Sequence, residues 1–265
     1  MTTLQEVFAK AKADNRAALI GYLPAGFPTK EGAVQAAAAM VEAGCDVIEI
    51  GLPYSDPLMD GPTIQDAVHL ALSNGTRIAD VMRTVEGVAA TGAATLVMTY
   101  WNPIDRYGAD RFARDLANAG GVGTITPDLT PEEAEPWRQA SAEAGIDTVF
   151  LVAPSSTEPR IKAVVDCCTG FVYAASLMGI TGARDSVNAA AEGLVARTRA
   201  QTDLPVCVGL GIGNGRQAAE VARYADGVIV GSAFIRRLLD APSEAEGLTA
   251  VRELAAELAE GVRRS

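Results

Sequence analysis

An eight-stranded α/β barrel is the fold class that three features of this sequence predict. Its 265 residues come close to the roughly 250 typical of such a barrel, which forms one domain at that length. Short apolar runs rich in β-branched residues alternate with Ala/Glu/Arg-rich segments of helical period, the pattern of βα units around a parallel sheet. Eight such units can be counted; open doubly wound sheets usually hold roughly five or six strands, so the sheet is expected to close. The full expectation is a single-domain (β/α)8 TIM barrel over residues 1–265, with an N-terminal capping helix and an extra short helix after strand 8.

Each element has its own signal. Residues 1–14 place Leu4, Val7, Phe8 and Ala11 at helical spacing and lack the long apolar stretch of a signal peptide, so they read as a cap. Strands are expected at 18–23, 46–50, 95–98, 122–126, 148–152, 171–174, 205–208 and 227–230. Helices are expected at 31–43, 64–73, 109–119, 131–144, 158–167, 187–200 and 217–223. Gly44, Gly120 and Gly145 stand where a helix ends in a left-handed residue, and Thr130-Pro131-Glu132-Glu133 reads as an N-cap, an N1 proline and an acidic first turn.

Composition narrows the function. With 49% hydrophobic residues the chain can bury a sizeable core. Its 22 Lys and Arg against 33 Asp and Glu give a net charge of −11, with no basic block, which argues against nucleic acid and anionic membrane as partners. Cys45, Cys167, Cys168 and Cys207 lie in apolar contexts without C-x-x-C spacing and read as core thiols of a reducing compartment. No apolar run is long enough to span a bilayer, and a soluble, cytoplasmic protein is expected.

In a barrel the chemistry belongs on the loops after the strand C-termini. Glu49 lies inside the apolar run Val47-Ile48-Glu49-Ile50, where a carboxyl is desolvated and held neutral unless a cation pairs with it. A structural ion pair would explain an isolated buried Glu; position at a strand end before an acidic loop favours catalysis. Asp56 and Asp60 follow in that loop. Either would serve as a turn residue bonding its own backbone, and either is also placed to act as a second acid in a different environment. Gly209-Leu210-Gly211-Ile212-Gly213-Asn214-Gly215 and Gly231-Ser232-Ala233-Phe234-Ile235 follow strands 7 and 8, where backbone N–H groups at a helix start hold phosphate in many barrels. The single histidine, His69, falls in a helix, and no His/Cys cluster, Walker A motif or correctly placed Rossmann fingerprint occurs. The residues therefore point to a small phosphorylated substrate handled by acidic side chains, with no metal and no cofactor.

The segment Glu49-Ile50-Gly51-Leu52-Pro53-Tyr54-Ser55-Asp56-Pro57-Leu58-Met59-Asp60-Gly61-Pro62-Thr63-Ile64-Gln65 resembles the signature of tryptophan synthase α chains. The likeness runs from about Ala18 to Ile235 and takes in Met98-Thr99-Tyr100-Trp101-Asn102-Pro103, Tyr173, Gly179-Ile180-Thr181-Gly182 and Gly231-Ser232-Ala233. Departures from the usual pattern are Ser176-Leu177-Met178-Gly179, where many members have Ser-Arg-x-Gly, and Phe27 in Gly26-Phe27-Pro28. A further departure is Pro127, which precedes Asp128-Leu129-Thr130.

The resemblance implies a carbon–carbon lyase of tryptophan biosynthesis that splits indole-3-glycerol phosphate into indole and glyceraldehyde 3-phosphate by a reverse aldol reaction. Glu49 would be the general acid/base and Asp60 the partner of the indole N–H. Tyr22, Tyr100, Tyr173 and Leu210 would surround the substrate; Thr181 would also touch it, and Gly182, Gly211, Gly231 and Ser232 would contact its phosphate. A β subunit in an α2β2 heterotetramer would receive the indole, with the loops after strands 2 and 6 coupling the two. Rival readings are a self-sufficient lyase without a partner, a regulatory subunit with weak catalysis of its own, and another phosphate-binding barrel such as an isomerase. The last leaves the long signature after strand 2 unexplained.

Overall fold

The computed structural model describes residues 2–175, 184–209 and 211–264. The strands are β1 (Ala18–Pro24), β2 (Val47–Gly51), β3 (Ala94–Met98), β4 (Gly123–Ile125), β5 (Asp147–Val149), β6 (Leu151–Val152), β7 (Val172–Ala175), β8 (Val206–Gly209) and β9 (Gly227–Val230). They form one parallel sheet in the order β5-β4-β3-β2-β1-β9-β8-β7-β6. Its two ends, β5 and β6, are one strand interrupted at Phe150, so the sheet closes and the expected TIM barrel is the observed fold. The interruption coincides with a contact from the segment after α8 (Glu158–Val165). The Phe150 N–H donates to Cys168 Sγ at 3.3 Å instead of to a strand, while its carbonyl accepts from the Tyr173 N–H at 3.1 Å. The strand thus pairs with β4 before Phe150 and with β7 after it.

Around the barrel run α2 (Lys30–Glu42), α3 (Pro62–Ser73), α4 (Ile78–Ala89), α5 (Trp101–Tyr107), α6 (Ala109–Asn118) and α7 (Glu135–Ala144). These are followed by α8 (Glu158–Val165), α9 (Arg184–Arg199), α10 (Gly215–Ala222), α11 (Ser232–Leu239) and α12 (Glu244–Gly261). α11 is the extra short helix expected after the last strand. The glycines read as helix stops do adopt positive φ, +117° at Gly44, +87° at Gly120 and +70° at Gly145, a region that side chains with a Cβ avoid.

One expected start is corrected: residues 131–133 form a turn, and α7 begins at Glu135. The reason is Pro136, which has no N–H to donate to the Glu132 carbonyl and whose ring crowds that carbonyl, so the earlier turn cannot run on as α-helix.

Alternation along the strands divides the core. Val47 points inward with Ile20, Leu96, Ile125, Val149, Phe171, Cys207 and Ile229, whereas Ile48 and Ile50 face the helices. α1 (Leu4–Ala13) plugs the lower end of this inner cluster with Leu4, Val7, Phe8 and Ala11, and Phe8 meets Phe171 edge to face at 5.8 Å. Burying each large side chain of this plug adds roughly 1.5–3 kcal/mol relative to exposure. A capping box between Thr3 and Glu6 starts the helix. α1 thus covers the lower end of the inner cluster, and the loops that carry the candidate residues lie at the C-terminal end of the strands. No helix among the described residues is long and apolar enough to cross a membrane.

Candidate active site

Glu49 sits on β2 between Tyr22 of β1 and Leu96 of β3 in the parallel register. By the same alternation that sends Val47 inward, its side chain enters the barrel one layer above the apolar core. It is 1% exposed, and neither carboxyl oxygen finds a hydrogen-bond partner among the described residues. Desolvation pushes its pKa up to about 8. Among the described residues no cation pairs with it, and burial favours the protonated acid near neutral pH.

Two glycines shape the space above it. The next inward position on β2 is Gly51, and a Cβ there would lie 2.3 Å from the Tyr22 hydroxyl. On β8 a Cβ at Gly209 would lie 2.2 Å from the Tyr173 hydroxyl. The missing side chains are what allow both tyrosines to lean across the mouth beside Glu49. The Tyr22 ring also passes Gly231, where a Cβ would come within 3.1 Å of Cδ1. Burial raises the pKa of both hydroxyls, reinforced by the negative charges of Asp60 and Glu49 at Tyr22 and of Glu49 at Tyr173.

Asp60 stands at the rim, half buried, at the end of the loop that β2 feeds. Desolvation raises its pKa, and the hydrogen bond from the Tyr100 hydroxyl at 3.2 Å opposes that rise. Gln65 Nε2 donates to the Asp60 carbonyl at 2.7 Å and so anchors the loop to α3. Asp56, the other candidate acid of this loop, is exposed and accepts only the neighbouring Ser55 hydroxyl among the described residues. His69 is exposed on α3.

On the opposite wall Gly211 and Ser232 line one cavity of about 580 Å³ together with Ile212, Gly213 and Ala233. Gly211 has φ +66°, and Gly231 is the N-cap of α11. The Phe234 and Ile235 amides bond the Gly231 carbonyl, so the Ser232 and Ala233 N–H groups are the ones left for a ligand at this helix start. Arg236 and Arg237 also line the cavity, and Arg236 Nη2 donates to Thr63 Oγ1 of α3 at 2.7 Å. Sequence reading missed these arginines; the signal was a basic pair one turn into a helix that starts at Gly-Ser. Thr181, Gly182 and Leu210 lie outside the described residues.

The structure therefore gathers Glu49, Tyr22, Tyr173 and Gly231 at the barrel mouth, joins Asp60 to Tyr100, and sets Gly211 beside Ser232. A buried carboxyl and a second carboxyl of different exposure at the C-terminal mouth of an α/β barrel, with a helix N-terminus nearby, have the layout of a barrel enzyme.

Comparison with known proteins gives the particular family. A family model described as Tryptophan synthase alpha chain matches residues 8–263. The tryptophan synthase alpha chain of Thermobifida fusca is 61% identical over 99% of this chain and 98% of its own length. That of Streptomyces coelicolor is 60% identical over 98% and 96%. The Mycobacterium tuberculosis tryptophan synthase structure superposes with a TM-score of 0.91 at 53% identity over the full length of both chains. The Legionella pneumophila alpha subunit gives 0.89 at 32% identity, over 99% of this chain and 98% of that one. The chain belongs to the tryptophan synthase alpha chain family, carbon–carbon lyases of tryptophan biosynthesis that cleave indole-3-glycerol phosphate.

Proposed function

We propose that Glu49 and Asp60 divide the acid–base work of this cleavage, an assignment supported above all by the burial of Glu49 without a partner. Neutral Glu49 donates its proton to indole C3 while Asp60, ionised, takes the proton from N1–H. The resulting Glu49 carboxylate then accepts the proton of the side-chain hydroxyl. The bond from C3 to that side chain breaks, its electron pair returns to the indole ring, and Asp60 gives the proton back to N1. Indole and the aldehyde leave, and both acids end as they began. Tyr22, Tyr100, Tyr173 and Leu210 are proposed to hold the indole and the glycerol chain.

Phosphate is proposed to bind the Ser232 and Ala233 N–H groups at the start of α11 beside Gly211, with Thr181 and Gly182 completing the site. A helix N-terminus offers free donors and a favourable dipole to an anion. Inorganic phosphate soaked into crystals is expected within hydrogen-bond distance of those two amides. An anion seated instead on the Arg236 or Arg237 guanidinium would show the backbone assignment to be wrong.

A β subunit is proposed as the recipient of indole, in an α2β2 assembly in the cytoplasm. Leu58 and Met59, 76% and 49% exposed, project from the loop that ends at Asp60. The same loop's Leu52, Pro53 and Tyr54 line a cleft of about 330 Å³ with Ile78, Pro103 and Tyr107, at whose edge stand Arg77, Asn102 and Arg106. Exposed apolar groups on a loop that also lines such a cleft suit a protein partner, and that loop also carries Asp60. Turnover of indole-3-glycerol phosphate measured with and without the cognate β subunit tests this. Association and a marked rise in turnover are expected; no complex and no stimulation at micromolar concentrations would leave a lyase that works alone.

A further inference from the structure

We propose that the Tyr100 hydroxyl is a positioning group that ties the backbone of the loop at Leu58 and Met59 to the Asp60 carboxylate and holds that carboxylate ready as a base. The inference rests on the reading of Asp60 as the acceptor of the indole N–H, and it adds a task for the hydroxyl to the substrate contact expected of the ring. The Leu58 and Met59 N–H groups donate to Tyr100 Oη at 3.1 and 2.9 Å, and Tyr100 Oη donates to Asp60 Oδ1 at 3.2 Å. A phenol has one proton and two lone pairs. The two amides occupy the lone pairs, so the proton has one place to go, and a hydroxyl aimed at a carboxylate favours its anion. Among the described residues this is the one hydrogen bond that the Asp60 carboxylate receives.

The ring is itself held. Tyr100 is the N-cap of α5, and the N–H of the next residue, Trp101, donates to Asp128 Oδ1 at 2.8 Å. Tyr54 packs on the Tyr100 ring at 5.7 Å, and its own hydroxyl accepts from Asn102 Nδ2 at 2.8 Å. The loop after β3 therefore fixes the loop after β2 at the residue that needs a defined direction. Among the described residues the other titratable groups at this mouth include Tyr22 on β1, on which Asp60, Glu49 of β2 and Tyr173 of β7 all act. Asp56 is exposed on the same loop, and Arg236 of α11 reaches the neighbouring Thr63. None of them replaces the Tyr100 proton.

The test uses the full chain with its β subunit. Tyr100→Phe keeps the ring and removes the hydroxyl. Its kcat is expected to fall on the order of a hundredfold, the loss that a small misplacement of a reacting group brings, with KM nearly unchanged. The acidic limb of the kcat–pH profile is expected to move to higher pH, because Asp60 loses the donor that favours its ionised form. A merely structural tyrosine would not move that limb. An unchanged kcat and an unmoved limb would overturn the proposal.

In an Asp60→Asn background, adding Tyr100→Phe is expected to cost little more, since both changes act on one group; an independent second loss would also overturn it. Should Tyr100→Phe fail to fold, 3-fluorotyrosine at position 100 keeps the bonds with a more acidic proton, and the acidic limb is expected to move to lower pH. No movement there counts against the hydroxyl. The two levels of reading separate cleanly. Normal turnover in Asp60→Asn removes the base on which the inference rests, whereas an inactive Asp60→Asn with an unaltered Tyr100→Phe removes only the role of the hydroxyl.

Discussion

Glu49→Gln is expected to lose cleavage activity by roughly 10²–10⁴-fold, the usual worth of a positioned proton-transfer group, while still binding indole-3-glycerol phosphate. The amide has the same shape and, at pH 7, the same zero charge as the protonated acid whose pKa is raised to about 8. Binding should therefore persist while proton exchange is lost. Single-turnover cleavage with a separate binding titration distinguishes the two, and near-normal turnover would remove Glu49 from the mechanism.

The same variant carries a stability signature. The folded chain keeps the Glu49 proton up to about pH 8, whereas the unfolded chain releases it near the ordinary glutamate value of 4.5. The folded state is thus the one that binds the extra proton in between. The stability this confers is fully present below about pH 4.5 and is lost as pH rises through about 8. Its size is at most about 5 kcal/mol, from about 1.4 kcal/mol for each tenfold difference in proton affinity. Gln has no such proton. In melting curves taken from pH 5 to about 9, wild type is expected to lose ground steadily against Glu49→Gln. Parallel curves would mean that Glu49 is not held neutral by burial.

Much of this was legible in the sequence because its signals are local. Runs such as Val47-Ile48-Glu49-Ile50 mark a strand through their β-branched residues, and the odd carboxyl within that run points to the candidate site. The stops at Gly44, Gly120 and Gly145 follow from the backbone conformations that glycine permits, which need no tertiary knowledge. What escaped depends on contacts distant in sequence. The break at Phe150 coincides with the contact that Cys168 Sγ makes with its amide. The need for glycine at Gly51 and Gly209 shows only when the rings of Tyr22 and Tyr173 are seen to occupy the space where their side chains would be. The start of α7 was misread although Pro136 lay in view, since Pro131 offered an equally good first-turn proline. The task of Tyr100 was hidden because its aromatic ring suggested the pocket wall, while its hydroxyl works on a loop more than forty residues earlier.

Asp60→Asn is expected to lower turnover by roughly 10²–10⁴-fold with a smaller change in KM, because the charge that Asp60 meets develops mainly after the ground state. Asparagine keeps the shape and offers a carbonyl oxygen to the Tyr100 hydroxyl, so the loop bonds at Leu58 and Met59 have no reason to break. What disappears is the capacity to take and return the N1 proton. Wild type is expected to show a bell-shaped pH profile. On its acidic side activity is lost as Asp60 is protonated, at a pH raised by burial and held down by Tyr100. On its alkaline side it is lost as Glu49 gives up its proton near pH 8. In Asp60→Asn the acidic limb should vanish from the residual activity and the alkaline limb remain. The two carboxyls serve one proton cycle, so the Glu49→Gln/Asp60→Asn double variant should be little worse than the poorer single variant. Steady-state kinetics from about pH 5 to 9 with the β subunit present decide the matter. An acidic limb that persists in Asp60→Asn would assign it to another group and leave Asp60 as a loop residue bonded to Tyr100.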